Sequence, residues 1–175
     1  MAAPLPRLTL VLGGARSGKS HFAEGLVTSC PAPWLYVATG EARDAEMTQR
    51  IALHVARRGP GWETREVPFD LADFIRSDDA ESRPMLIDCL TLWLTNVMLA
   101  DRDVAAERAT LIDTLREARG PIVAVSNEVG LGIVPENALA RRFRDEQGRL
   151  NTAVAALADT VVLVAAGLPL TLKQP

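Results

Sequence analysis

Short apolar runs rich in β-branched residues alternate along the chain with longer segments in which apolar residues recur every three or four positions. Runs of the first kind at Leu8–Leu12, Trp34–Thr39, Met85–Asp88, Ile122–Ser126 and Thr160–Ala165 predict strands. Several are apolar at every position, as in a strand covered on both faces. The longer period predicts helices over Lys19–Ser29, Asp44–Arg58, Leu90–Ala100, Val104–Arg119 and Asn137–Ala158. Glu63–Pro68 offers a further strand and Leu168–Lys173 a terminal hairpin partner. Strand and helix taken in turn build βαβ units, so the expected fold is α/β, with a mainly parallel sheet flanked by helices.

No internal repeat or low-complexity tract interrupts this pattern, and proline and glycine punctuate elements rather than form a linker. Residues 1–175 therefore read as one domain. A chain of this size buries roughly 70% of its unfolded surface, so it needs no disulfide or metal to hold a core. Hydrophobic residues make up 48% and charged residues 23%, which is ordinary for a globular protein and argues against a largely disordered chain.

The formal net charge is −3 and no basic run occurs, which argues against a nucleic-acid or membrane-surface binder. Cys30 and Cys89 lie far apart without metal-ligand spacing, so free thiols and a reducing cytoplasm are expected. Leu8–Leu12 is too short for a signal peptide. The apolar stretch Thr160–Leu172 is broken by Gly167 and Pro169 and falls short of the ~20 residues of a membrane helix, so no span is expected.

Directly after the first strand stands Gly13-Gly14-Ala15-Arg16-Ser17-Gly18-Lys19-Ser20, which fits the phosphate-loop pattern G-x-x-x-x-G-K-[ST] between a strand and a helix. Glycines let successive N–H groups turn inward toward phosphate oxygens, and the following helix adds its positive end. Lys19 would reach the β and γ phosphates, and the Ser20 hydroxyl would ligate Mg²⁺. Among the 19 basic side chains only Lys19 and Lys173 are lysine, and one of them stands where this chemistry needs it. The fold expected is thus P-loop NTPase-like, of the RecA-like kind.

Such a loop works with an acid at the end of a neighbouring buried strand. Asp88, which ends Met85–Asp88, supplies it; Asp88 could instead cap the helix beginning near Leu90, and Glu128 is a second candidate. The chain has no N-K-x-D guanine-reading motif and no D-x-x-G switch, which disfavours a signalling GTPase and favours phosphotransfer.

His21 follows the loop and reads as an exposed or packing residue. His54 stands out, because helical spacing brings Arg50, Arg57 and Arg58 within its reach. Three guanidiniums beside one imidazole make an anion site holding a nucleophile, and like-charge repulsion favours the neutral ring that can attack phosphorus. The same spacing also suits a histidine at a helix end with solvated arginines around it.

Together these segments resemble the bifunctional adenosylcobinamide kinase and adenosylcobinamide-phosphate guanylyltransferase family of cobalamin biosynthesis. The resemblance spans essentially the whole chain: GGARSGKS from Gly13, YVAT from Tyr36, DAEMTQRIALHVARRGPGWETREVP from Asp44, IDCLTLWLTN from Ile87 and SNEVGLGIVPENALARRFRDEQGRLN from Ser126. It implies phosphorylation of adenosylcobinamide by ATP or GTP, then transfer of GMP from GTP to adenosylcobinamide phosphate, giving adenosylcobinamide-GDP and pyrophosphate. It assigns His54 as the guanylylated residue, while the phosphate-loop pattern makes Lys19 the other catalytic candidate. The resemblance implies nucleotide contacts at Gly13, Gly14, Ala15, Arg16, Ser17, Gly18, Lys19, Ser20, Ala38, Thr39, Gly40, Val55, Ala56, Arg57, Arg58, Glu66 and Asp88, and a homotrimer; the metal contacts expected from the phosphate-loop reading are Ser20 and Asp88, with Asp88 reading the nucleotide as the alternative to holding the metal.

Glu66 or Asp88 would accept hydrogen bonds from guanine or ribose. The sequence departs from the family where Asp88 replaces a frequent Glu, where Leu53 replaces a second histidine, and where Thr152 replaces an amide. Arg141, Arg142 and Arg144 read either as a solvated helix face or as contacts to corrinoid or phosphate. A plain small-molecule kinase with a structural His54 and a nucleotide-dependent switch are the rival classes; the missing switch motifs count against the second, and the acidic balance counts against a DNA-dependent ATPase.

Overall fold

The computed structural model describes residues 5–41, 59–77, 79–80 and 82–175. The helix expected over Asp44–Arg58, with Arg50, His54, Val55, Ala56, Arg57 and Arg58, lies outside the described residues.

Strands β1 (Leu8–Gly13), β2 (Trp34–Ala38), β3 (Trp62–Glu66), β4 (Met85–Asp88), β5 (Ile122–Asn127), β6 (Thr160–Ala165) and β7 (Leu168–Lys173) form a sheet in the order β3-β2-β4-β5-β1-β6-β7. Every pairing is parallel except β6 with β7, which closes a hairpin. Helices α1 (Lys19–Val27), α2 (Leu71–Arg76), α3 (Leu90–Leu99), α4 (Val104–Glu117) and α5 (Ala138–Leu157) complete the described elements.

Sequence period explains the layering. Alternate residues of a strand point to opposite faces, and both faces of the central strands are apolar. Leu10, Val37, Ile87 and Ala124 pack with α2, α3, α4 and α5 on one side. Val11, Tyr36, Leu86 and Val125 pack with Ala23 and Val27 of α1 on the other. A continuous apolar run is thus what a doubly covered strand requires.

The expected boundaries of the described elements hold to within two residues, including the edge strand expected over Glu63–Pro68, which begins at Trp62 and ends at Glu66, ahead of Pro68. Trp62 packs its ring against Trp34 at 5.4 Å and edge-on against Tyr36 at 6.0 Å, which fixes the start of that strand. Asp103 caps α4 by accepting from the N–H groups of Ala105 and Ala106, and Asn137 caps α5 by accepting from Ala140. Helix α2, six residues long, is the element that the pattern does not predict.

Candidate active site

All parallel strands end at one edge of the sheet, and there α/β folds bind their ligands. Ala38, Glu66 and Asp88 share one register level, because Ala38 pairs with both Glu66 and Asp88. Asp88 in turn pairs with Val125, which pairs with Val11, so the phosphate loop leaves β1 two residues beyond that level.

The loop's shape follows from its glycines. A Cβ on Gly13 would stand 2.5 Å from Ser17 Oγ and 2.6 Å from the Val164 carbonyl oxygen, so no side chain fits. Gly18 caps α1 at φ 92°, a left-handed conformation that glycine adopts without strain. The Lys19 ammonium donates to the Gly14 carbonyl at 3.0 Å, and the Glu128 N–H donates to the Gly13 carbonyl at 3.1 Å, tying the end of β5 to the loop. Helix α1 has no acidic residue in its first turn and no side-chain cap, which leaves its N-terminal N–H groups to the loop.

Asp88 lies beside this loop at the end of β4. Tyr36 donates its hydroxyl hydrogen to Asp88 Oδ2 at 2.6 Å. Helix α3 is capped at Cys89 without a side-chain bond, so Asp88 is not a helix cap. Burial pushes the Cys89 thiol up to about 11, and the Asp88 charge adds to that; Lys19 opposes it. The thiol is therefore protonated and no nucleophile.

Thr39 is fully buried; its hydroxyl donates to the Cys89 carbonyl at 2.7 Å and accepts from the Cys89 N–H at 2.9 Å. Asn96 of α3 bonds the Thr39 and Pro68 carbonyls at 2.7 and 3.0 Å, so the turn after β2 is held from beneath. Thr39 thus shapes the site through backbone geometry. Gly40 follows, half-buried, where a Cβ would stand 3.1 Å from Leu92. Glu66 is exposed at the end of the edge strand.

A polar network underlies the loop. Ser126 donates to Asn151 Oδ1 at 2.6 Å, Gln147 donates to both, Asn151 donates to the Asn127 carbonyl at 3.0 Å, and the Asn127 N–H donates to Thr91 at 2.8 Å. Buried polar groups bonded in this way hold the ends of β5 and α3 rigidly. Arg141 bonds the Pro135 and Glu136 carbonyls, which fastens the loop before α5; Arg142 is exposed, and Arg144 lies 3.6 Å from Asp145. His21 is exposed.

The Glu128 carboxylate accepts from Gly130 N–H and shapes its own turn. Tyr36, Thr91, Ser126 and Asn151 lie in segments that carry the family resemblance, but the sequence assigns none of these side chains a role at the site. One signal was available for the first: Tyr36 is the single tyrosine, set in a buried strand where its hydroxyl must find a partner.

Sheet order, phosphate loop and strand-end acid define a P-loop NTPase-like protein. Among solved structures, the chain is similar to the flagellar accessory protein FlaH from Methanocaldococcus jannaschii (TM-score 0.57, 14% identity, covering 99% of this chain and 80% of that one). It is also similar to the P4 protein from bacteriophage phi6 in complex with ADP (TM-score 0.51, 16% identity, 96% and 54% covered).

Residues 9–172 match the family described as CobU, cobinamide kinase / cobinamide phosphate guanyltransferase, and the chain belongs to that family. It is 48% identical over 166 residues to the bifunctional adenosylcobalamin biosynthesis protein CobP of Pseudomonas aeruginosa, covering 94% of this chain and 96% of the relative. It is 40% identical over 181 residues to the bifunctional adenosylcobalamin biosynthesis protein CobU of Salmonella typhimurium, covering 95% and 99%. Among the described residues, no helix is long and apolar enough to cross a membrane.

Proposed function

We propose that this protein carries out two consecutive transfers on one corrinoid, with the single phosphate loop serving both. In the first, the aminopropanol hydroxyl oxygen of adenosylcobinamide attacks the γ phosphorus of ATP or GTP. The bond to the β-phosphate oxygen breaks, the nucleoside diphosphate leaves, and the hydroxyl proton passes to solvent. In the second, a ring nitrogen of His54 attacks the α phosphorus of GTP and pyrophosphate leaves. An oxygen of adenosylcobinamide phosphate then displaces the imidazole, giving adenosylcobinamide-GDP and regenerating His54.

The observation that carries this reading is the phosphate loop beside Asp88 at the carboxyl edge of the sheet, in a chain matched over residues 9–172 by the family. Backbone N–H groups of Gly13 to Ser20 hold the phosphates, Lys19 neutralises charge developing on them, and Ala38 to Gly40 and Val55 to Arg58 flank the nucleotide. Arg57 and Arg58, with Arg50, neutralise the α phosphate and the departing pyrophosphate. Glu66 or Asp88 accepts from guanine or ribose.

Among the described residues no group of three or more His, Cys, Asp or Glu could hold a metal ion. Mg²⁺ takes one or two protein oxygens and completes its shell with water and phosphate. The Ser20 hydroxyl and the Asp88 carboxylate are the oxygen donors that fit it. When bound, the ion would neutralise charge on the phosphates.

We read the chain as one cytoplasmic domain that assembles as a homotrimer. Incubation with adenosylcobinamide, GTP and Mg²⁺ tests the function: adenosylcobinamide phosphate and then adenosylcobinamide-GDP should accumulate, with one pyrophosphate for each of the latter. Absence of both corrinoid products would refute it.

A further inference from the structure

The β6–β7 hairpin turn rests against the phosphate loop. Its two residues, Ala166 and Gly167, both have positive φ, 52° and 79°, the two-residue turn whose twist suits antiparallel strands. From this turn the Gly167 N–H donates to the Ser17 carbonyl at 2.9 Å. The approach is close, since a Cβ on Gly18 would stand 3.3 Å from Gly167 Cα. The hairpin meets the start of the loop as well, where the Val164 carbonyl oxygen lies 2.6 Å from a Cβ built on Gly13.

The Ser17–Gly18 peptide is trans, and in a planar trans peptide the C=O and the next N–H point to opposite sides. Holding the Ser17 oxygen on the turn therefore aims the Gly18 N–H away from the turn. Gly18 immediately precedes Lys19 and caps α1, so that N–H belongs to the row that meets a phosphate.

The hairpin is fixed at its far end too. The Lys173 ammonium donates to the Ala155 and Ala156 carbonyls in the last turn of α5, at 3.1 and 3.0 Å. Strand β7 is exposed along its whole length and supplies no residue to either buried cluster. Beyond the pairing of β6 with β7, the hairpin reaches the loop through Gly167 and α5 through Lys173.

We propose that Gly167 is a positioning residue for nucleotide binding: its N–H clamps the Ser17 carbonyl from outside and so presets the Gly18 N–H toward the phosphates. This rests on the reading of the loop as the nucleotide site. Valine cannot hold the left-handed conformation without strain, whereas asparagine can, and the space around a Cβ at Gly167 is open. Gly167→Val should raise the nucleotide Kd, measured calorimetrically with a non-hydrolysable GTP analogue and Mg²⁺, by about tenfold or more, the equivalent of about 1.4 kcal/mol.

The melting temperature of nucleotide-free protein should move by only a few degrees, and Gly167→Asn should recover most of the affinity. Equal affinity in the Val variant and the wild type would overturn the proposal, as would an Asn variant as weak as the Val variant. If the Val variant does not fold, replacing the Ala166–Gly167 amide by an ester, through ligation of a synthetic C-terminal segment, deletes the N–H alone and should give the same loss. Unchanged affinity in the ester protein would overturn the proposal. Wild-type protein that binds no nucleotide would overturn the reading of the loop itself and this inference with it; tight wild-type binding with an unaffected variant overturns this inference alone.

Discussion

Tyr36 holds Asp88 by a hydrogen bond of 2.6 Å that runs diagonally between β2 and β4, the hydroxyl donating to Oδ2. The phenol is buried in the α1-side cluster, so its position is set by packing, and the carboxylate is oriented by a group that cannot wander. Orientation of a metal- or nucleotide-binding carboxylate by such a partner is worth about tenfold or more in binding or rate.

Tyr36→Phe keeps the ring and its packing and removes only the donor. Turnover with saturating corrinoid should fall about tenfold, with little change in melting temperature, and Asp88→Asn should fall further. Steady-state kinetics on the two variants checks this. Unaltered turnover in the Phe variant would show that the bond does not position Asp88 for the reaction.

If one loop serves both steps, as proposed, Lys19→Ala should depress both the phosphorylation and the guanylyl transfer, each on the order of a hundredfold. The two steps are separated by supplying adenosylcobinamide in one assay and adenosylcobinamide phosphate in the other. Full kinase activity in the variant would contradict the shared loop.

Cys89 makes a prediction about alkaline stability. Burial first, and the Asp88 charge second, raise its thiol from 9.0 to about 11 in the folded chain. The folded state then holds the proton more tightly than the unfolded one. The stability this contributes is fully present below the unfolded value and is lost as pH climbs from 9.0 to about 11. Denaturant midpoints should fall more steeply across that window for the wild type than for Cys89→Ala. At neutral pH a thiol reagent should modify half-buried Cys30 and leave Cys89 untouched until the protein unfolds.

What was legible in the sequence was local. The phosphate loop is eight consecutive residues whose types dictate their conformation, and β4 with its terminal Asp88 is a short apolar run ending in an acid. The strand order was not legible, because β1 lies between β5 and β6 through pairings that no local pattern encodes. The same distance hides Tyr36 from Asp88, 52 positions apart, and Gly167 from Ser17. Helix α2 escaped notice because six residues scarcely complete a period. The alternative of Asp88 as a helix cap could be settled only by seeing its side chain turned toward Tyr36. His54 and its arginines lie outside the described residues, so their role is carried by the family resemblance and by the chemistry of imidazole beside guanidinium.

The most direct test of the central claim is covalent labelling. Wild-type protein incubated with GTP labelled at the α phosphate should retain acid-labile, alkali-stable label on the polypeptide, and that label should leave as adenosylcobinamide-GDP when adenosylcobinamide phosphate is added. His54→Ala should take up none while still phosphorylating adenosylcobinamide. Label persisting in the His54→Ala protein, or a wild type that forms adenosylcobinamide-GDP without ever becoming labelled, would contradict the account.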